Sequence, residues 1–140
     1  MMIMYSTKYA VGIHILSLIA LKQEDGITSD YIAGSVNTNP ALVRRLMSDL
    51  KKSGLIQTKT KVGVTGLMKP PEEITLLEIF KAVENRQDLF AIHTDTNSDC
   101  PVGARIGCVL ESINHKVQTG FQEELGTMHL SDILEGLGNI

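Results

Sequence analysis

The chain of 140 residues is long enough for one domain and carries a net charge of −3. Its 43% hydrophobic and 21% charged residues are ordinary for a globular protein, and no apolar run reaches the roughly 18 residues of a membrane span. Two cysteines without an export signal predict a reducing, cytoplasmic location, and the 4% aromatic content predicts an aliphatic core.

Charge is divided unevenly between the two halves of the chain. Residues 1–70 hold nine Lys and Arg against four Asp and Glu, a net charge of +5. Residues 71–140 hold four against twelve, a net charge of −8. This asymmetry predicts that the first half alone faces a polyanion, with an uneven surface charge of no consequence as the alternative.

Helical patterns open the chain. Ser6 is a suitable N-cap for a helix over about residues 7–22, and Thr28 is one for a short second helix. A tight turn at Asn37 and Thr38 separates the second helix from the next. Two helices joined by such a turn are typical of a helix-turn-helix.

The stretch "NPALVRRLMSDLKKSGLI", residues 39–56, predicts the third helix. Asn39 caps it, Pro40 takes its first position, and Gly54 lies where a left-handed C-cap is needed. Helical spacing gives the helix an apolar face opposite a face with two arginines. The apolar face consists of Val43, Leu46, Met47 and Leu50.

A short hairpin is expected after this helix. Residues 55–58 are predicted as its first strand, "KTKVGVTG" (59–66) as a basic loop and residues 67–69 as a return strand, closed by Pro70 and Pro71. The order of helix, short helix, turn, helix and hairpin predicts a winged helix-turn-helix, which is a mainly α fold with a small β-hairpin wing.

The second half is predicted to be helical with one connecting loop. Thr75 and Glu78 form a capping box that opens a fourth helix, which continues to about Glu84. A helix of about 22 residues is expected from about Val102, and Ser131 is expected to cap a short final helix.

The long helix carries one apolar stripe, which is more than one winged helix can cover. A second copy of the chain is the expected partner, so a two-fold homodimer is predicted, with packing on its own domain as the alternative. The stripe consists of Ile106, Val109, Leu110, Ile113, Val117 and Phe121. The predicted parts are a winged helix-turn-helix domain (1–84), a connecting loop (85–101) and a dimerisation helix with the C-terminal helix (102–140).

The polar face of the third helix predicts contact with double-stranded DNA. Arginine can bond a guanine edge or a phosphate, asparagine suits adenine, and loop lysines can reach the DNA backbone. The predicted base and phosphate contacts are Asn39, Ala41, Arg44 and Arg45, and the predicted phosphate contacts are Ser6, Lys8, Thr28, Ser29, Lys59 and Lys61. A winged helix that contacts only other proteins is the alternative function.

Three stretches resemble one known family. "STKYAVGIHILSLIAL", "SDYIAGSVNTNPALVRRLMSDLKKSGLI" and "KPPEEITLLEIFKAVE" resemble the Rrf-type family of bacterial winged-helix regulators over nearly the whole chain. The resemblance implies DNA binding through the third helix and the wing, and dimerisation through the long helix. We therefore predict a sequence-specific transcription regulator, a homodimeric repressor on a pseudo-palindromic operator, and not an enzyme.

The sequence departs from the family pattern in the wing and in the cysteines. The wing lacks the arginine, the glycine run and the aromatic residue that the family usually has. Cluster-binding members use three closely spaced cysteines, whereas "DLFAIHTDTNSDCPVGARIGC" contains only Cys100 and Cys108, of which Cys100 alone matches. No iron–sulfur cluster, other cofactor or metal site is therefore expected.

The controlling signal is expected to act through residues 85–108, and the sequence does not identify the effector. Cys100 and His93 are the candidate sensor residues, because a helix N-terminus lowers the pKa of a nearby thiol. A redox- or metal-responsive regulator that uses Cys100 is thus an alternative, beside an inert cysteine. Cys108 is expected to be a small core residue.

Overall fold

The computed structural model describes residues 6–22, 27–59, 63–85 and 88–138. Within these ranges the helices are α1 (Lys8–Leu21), α2 (Ser29–Val36), α3 (Pro40–Lys52), α4 (Leu76–Val83), α5 (Pro101–Gly126) and α6 (Leu130–Leu137). The strands are β1 (Ile56–Lys59) and β2 (Gly63–Leu67), and a 3₁₀ turn spans Pro71–Glu73. The predicted winged helix-turn-helix order is confirmed. None of the described helices is both long and apolar enough to cross a membrane.

An aliphatic core joins α1, α2, α3, α4 and α6 into one head. Ile15 of α1 and Leu46 of α3 are completely buried in it, together with Ile79 of α4. Leu130, the first residue of α6, is equally buried. The C-terminal helix therefore packs with the head, although the predicted boundary had grouped it with the dimerisation helix.

Two helix starts differ from the prediction. The N-cap of α1 is Thr7 and not Ser6, although the Ser6 hydroxyl accepts the N–H of Lys8 at 3.0 Å. The N-cap of α6 is His129 and not Ser131, and the N–H of His129 donates to a carboxylate oxygen of Asp132 at 2.9 Å. A short antiparallel bridge between Thr75 and His129 explains the earlier start, because it holds the backbone there in an extended conformation.

The wing is longer than predicted. Strand β2 begins at Gly63, which pairs with Lys59, so the predicted loop 59–66 and the return strand 67–69 were wrong. The physical reason is Val64, which is only 2% exposed and exchanges two backbone hydrogen bonds of 3.1 Å with Ile27. Burial of this side chain in the head explains why β2 begins four residues before the sequence pattern suggests.

Helix α5 has 26 residues and extends beyond the head. The connecting segment before it, residues 88–100, contains no helix or strand. At its end, the N–H of Cys100 donates to the carbonyl of Asn97 at 3.2 Å and the Thr96 hydroxyl donates to the carbonyl of Gly103 at 2.6 Å. These bonds fix the start of α5.

Candidate DNA-binding interface

Helix α3 presents two arginines on the side opposite to its buried face. Val43, Leu46 and Leu50 are fully buried, whereas Arg44 and Arg45 are exposed. Both arginines lie in the N-terminal half of the helix, which is the half that a recognition helix inserts into the major groove. The packing of α3 thus aims two guanidinium groups at solvent from a fixed helix.

Asn39 is engaged in capping α3. Its side-chain oxygen accepts the N–H of Ala41 at 2.8 Å. A bidentate contact with adenine needs an oxygen and an amino group of the same amide. Because the cap fixes that oxygen, the amino group is the part of Asn39 best placed to face DNA. Ala41 is exposed beside it.

The C-terminal cap of α3 leads directly into the wing. Gly54 has a φ of +76°, as predicted, and its N–H donates to the carbonyl of Lys51 at 3.0 Å. The N–H of Leu55 donates to the carbonyl of Leu50 at 3.0 Å, which completes a Schellman motif. Since β1 begins one residue later, the angle between α3 and the wing is set by this cap.

The start of α2 lies beside strand β2 of the wing. Thr28 caps α2 as predicted, with its hydroxyl oxygen accepting the N–H of Tyr31 at 3.1 Å. Thr28 is exposed and Ser29 is half-buried. The bridge from Ile27 to β2 places both hydroxyl residues next to the wing strand.

Hydroxyl groups at two helix starts share one arrangement. The oxygens of Ser6 and Thr28 each accept a backbone N–H, so each hydroxyl proton remains able to donate. A DNA phosphate is an acceptor that suits such donors at a helix N-terminus. Lys8 is half-buried next to Ser6 at the start of α1.

The lysines of the wing differ in their surroundings. Lys59 is exposed at the last paired position of β1, whereas Lys61 lies outside the described residues. Lys69, after the wing, is engaged elsewhere, because its ammonium group lies 2.6 Å from a carboxylate oxygen of Glu78. Lys59 is therefore the described wing lysine that is best placed for a phosphate.

Glu78 joins the end of the wing to α4. The predicted capping box is confirmed, since the Thr75 hydroxyl oxygen accepts the N–H of Glu78 at 3.1 Å and the Glu78 carboxylate accepts the N–H of Thr75 at 3.2 Å. Partial burial acts to raise the pKa of Glu78. Hydrogen bonds from Lys69 and Thr75 and the charge of Lys69 outweigh it, so the net pKa is lowered.

The apolar stripe of α5 is largely uncovered. Val109, Leu110, Ile113 and Val117 are between 37% and 51% exposed. Ile106 and Phe121, the two ends of the predicted stripe, are half-buried. Phe121 packs edge-on against Phe80 of the same chain, with ring centroids 5.4 Å apart, so this end of the stripe is partly covered by the head.

The candidate sensor residues lie at the surface. Cys100 is exposed as the N-cap of α5, and the backbone N–H groups of Gly103 and Val102 lower the pKa of its thiol. His93 is exposed in the connecting segment. Cys108 is also exposed, so its prediction as a core residue was wrong. No residue of α5 is fully buried in the single chain, so a position on this helix does not place Cys108 in a core.

Comparison with known proteins identifies the family. A family model described as Rrf2, iron-dependent transcriptional regulator, matches residues 5–136. The chain belongs to the Rrf2 family. It is 40% identical over 134 residues to YwnA of Bacillus subtilis (strain 168), a candidate HTH-type transcriptional regulator, and the match covers 96% of this chain and 99% of YwnA. The chain is thus a DNA-binding transcription regulator, from a family of regulators and not of enzymes.

Solved structures agree with this assignment. A crystal structure of a candidate DNA-binding protein is 37% identical and has a TM-score of 0.73, covering 91% of this chain and 98% of that one. CymR, the global cysteine regulator of B. subtilis, is 22% identical and has a TM-score of 0.67, covering 96% of this chain and 98% of CymR. CymR therefore shares the fold of this chain.

Proposed function

We propose that the protein represses transcription as a homodimer bound to a pseudo-palindromic operator. The observation that carries this proposal is the exposed apolar stripe on α5. Isolated apolar residues are common on protein surfaces, but a contiguous patch along a helix marks an interaction site. A second copy of the same helix provides a matching stripe, and a two-fold axis brings the two together.

A two-fold dimer presents two copies of α3 to one face of DNA. Arg44 and Arg45 then contact base edges and phosphates in each half-site, assisted by Ala41 and the amino group of Asn39. Successive major grooves on one face of the duplex are about 34–36 Å apart, which corresponds to half-sites separated by about 10 base pairs. In the proposed repression, the operator overlaps a promoter and the bound dimer blocks RNA polymerase.

Phosphate contacts surround the recognition helix in this proposal. Ser6 and Lys8 contribute from α1, Thr28 and Ser29 from α2, and Lys59 from the wing. Lys61 belongs to the same group by its position in the sequence. These contacts fix the register of the dimer on the duplex without reading the sequence. The target of the protein is DNA, so we place it in the cytoplasm.

The donor set of this chain does not fit an iron–sulfur cluster, although the family model is described as iron-dependent. Iron–sulfur clusters are held mainly by cysteine thiolates, and the family resemblance implies three closely spaced cysteines in the cluster-binding members. The chain has two cysteines, Cys100 and Cys108, which are separated by eight residues and hence by about 12 Å along α5. Across the described ranges, no three His, Cys, Asp or Glu side chains are grouped so that they could hold a metal ion. We propose that this member functions without a cluster.

The control signal in this proposal reaches the dimer through residues 85–108. Cys100 is the candidate sensor, because its exposed thiol combines a lowered pKa with a position at the junction of the connecting segment and α5. A change at this junction alters the spacing of the two heads and therefore their fit to two half-sites. Replacing Cys100, His93 and Asp99 together removes every condition-dependent change in DNA affinity if this is correct.

In vitro selection of DNA by the purified protein tests the operator model. The expected result is an inverted repeat with half-sites about 10 base pairs apart, bound by two protomers as determined by native mass spectrometry. Recovery of a single asymmetric half-site bound by one protomer would contradict the dimer proposal. A reporter gene placed behind the selected site then distinguishes repression from activation.

A further inference from the structure

The start of α1 is held by a residue that is distant in the sequence. The N–H of Tyr9, in the first turn of α1, donates to a carboxylate oxygen of Glu84 at 3.1 Å. Glu84 is the C-cap of α4 and lies 75 residues away in the sequence. Among the described residues, Thr7 makes no side-chain capping bond, and the first turn of α1 contains no acidic residue. Glu84 therefore supplies the negative charge that favours the N-terminus of this helix.

Aromatic contacts also hold the first turn of α1 against α4. The ring of Tyr9 packs edge-on against Phe80 of α4, with centroids 5.9 Å apart, and Phe80 packs edge-on against Phe121 of α5 at 5.4 Å. The sequence contains only six aromatic residues, and three of them meet here. The first turn of α1 is thus fixed to α4 and, through it, to the long helix.

We infer that Glu84 is a positioning residue for DNA binding, which orients the first turn of α1 for contact with a DNA phosphate. This inference rests on the proposed function, in which Lys8 of that turn and Ser6, which accepts the Lys8 N–H, contact the DNA backbone. The Tyr9 amide lies one residue beyond Lys8, so loss of its partner loosens the turn that carries Lys8 and to which Ser6 is hydrogen-bonded.

Two substitutions separate the hydrogen bond from the charge. Glu84→Gln keeps an oxygen that accepts the Tyr9 N–H but removes the negative charge, and Glu84→Ala removes both. Glu73→Ala is the matched control, because Glu73 is an exposed acidic residue of the head outside the α1 contact. Comparison of Glu84→Ala with Glu73→Ala cancels the effect of net charge on DNA affinity.

The first readout needs no DNA. Amide hydrogen exchange measured by NMR should be at least about fivefold faster at Tyr9 in Glu84→Ala than in the wild type, and unchanged in Glu84→Gln and Glu73→Ala. The second readout is the dissociation constant for the selected operator. It should be about fivefold higher for Glu84→Ala than for Glu73→Ala, with Glu84→Gln binding at least as tightly as the wild type.

The outcomes distinguish this inference from the proposed function. Equal exchange at Tyr9 in all four proteins overturns the inference, whether or not the protein binds the operator. Faster exchange in Glu84→Ala with operator affinity equal to that of Glu73→Ala overturns it as well, and leaves the proposed function intact. Failure of the wild type to prefer any DNA sequence refutes the proposed function, while the exchange data still decide whether Glu84 holds α1.

Discussion

Replacement of Ile113 by glutamate should separate the protein into monomers. Ile113 lies in the middle of the exposed stripe on α5 and is 50% exposed in the single chain. In a two-fold dimer through this stripe, the two copies of Ile113 lie close to the axis and are buried together. The substitution replaces two apolar side chains by two carboxylates that face each other.

The expected loss of dimer stability follows from the exposed area of the Ile113 side chain that the dimer would bury. Complete burial of an isoleucine side chain is worth roughly 1.5–3 kcal/mol, so covering the exposed half contributes roughly 1 kcal/mol per protomer and roughly 2 kcal/mol per dimer. Loss of roughly 2 kcal/mol raises the dimer dissociation constant by about 30-fold. Burial of two opposed carboxylates adds a desolvation cost of several kcal/mol, so the total increase should exceed about 100-fold.

Sedimentation equilibrium over a range of protein concentrations measures this constant. Ser112→Glu is the matched control. Ser112 is exposed and precedes Ile113, so this substitution adds the same charge beside the stripe but not within it. The control should remain dimeric, and circular dichroism should show the same helix content in all three proteins. A wild type that is monomeric, or an Ile113→Glu variant with an unchanged dissociation constant, would refute the assignment of the stripe as the dimer interface.

Further predictions concern the wing, α4 and the connecting segment. Gly63→Ala should lower the free energy of unfolding by roughly 1–3 kcal/mol, as measured by chemical denaturation. Gly63 has a φ of +94°, and a Cβ added there would lie 2.8 Å from the carbonyl oxygen of Ile27. An unchanged denaturation midpoint would contradict this prediction. Since the folded-state pKa of Glu78 is lowered, its contribution to stability is present above the ordinary pKa of 4.5 and is lost as pH falls through the folded value. The difference in melting temperature between the wild type and Glu78→Gln should therefore be largest near neutral pH and shrink below about pH 4.5; a constant difference would exclude the linkage. Cys100 should be alkylated by iodoacetamide several-fold faster than Cys108 at neutral pH, as followed by peptide mass spectrometry, and equal rates would argue against a sensor role for Cys100.

The features that sequence predicts well here are those encoded within a few residues. The cap and first position of α3 follow from Asn39 and Pro40, and its end follows from Gly54, because each residue favours one local backbone conformation. The capping box of Thr75 and Glu78 is of the same kind. These signals, together with the order of the elements, are sufficient to predict the winged helix-turn-helix.

The features that sequence predicts poorly depend on distant partners. Ser131 is the better N-cap by local preference, but the bridge between His129 and Thr75, more than fifty residues earlier, decides the start of α6. The start of β2 is likewise decided by the pairing of Val64 with Ile27. No local pattern connects such residues, because their contacts form only when the head packs.

In the candidate site too, local features could be predicted from the sequence and contacts between distant residues could not. Exposure of Arg44 and Arg45 follows from helical spacing, and the structure places both as expected. The contact of Glu84 with Tyr9 could not be predicted, since nothing near either residue signals the other. Sequence spacing placed Phe121 in the dimer stripe, but it could not show that its ring also packs on Phe80.

Fluorescence anisotropy with DNA from upstream of the protein's own gene is the most direct test of recognition through α3. The variant Arg44→Ala/Arg45→Ala is compared with Lys51→Ala/Lys52→Ala, which removes the same charge from the exposed C-terminal turn of that helix. Each titration is repeated with scrambled competitor DNA at two salt concentrations, because phosphate contacts alone lose affinity steeply with salt. Recognition through α3 predicts that the lysine variant keeps its preference for the specific DNA, whereas the arginine variant binds both DNAs equally. Equal preference in the two variants would contradict the assignment of α3 as the recognition helix.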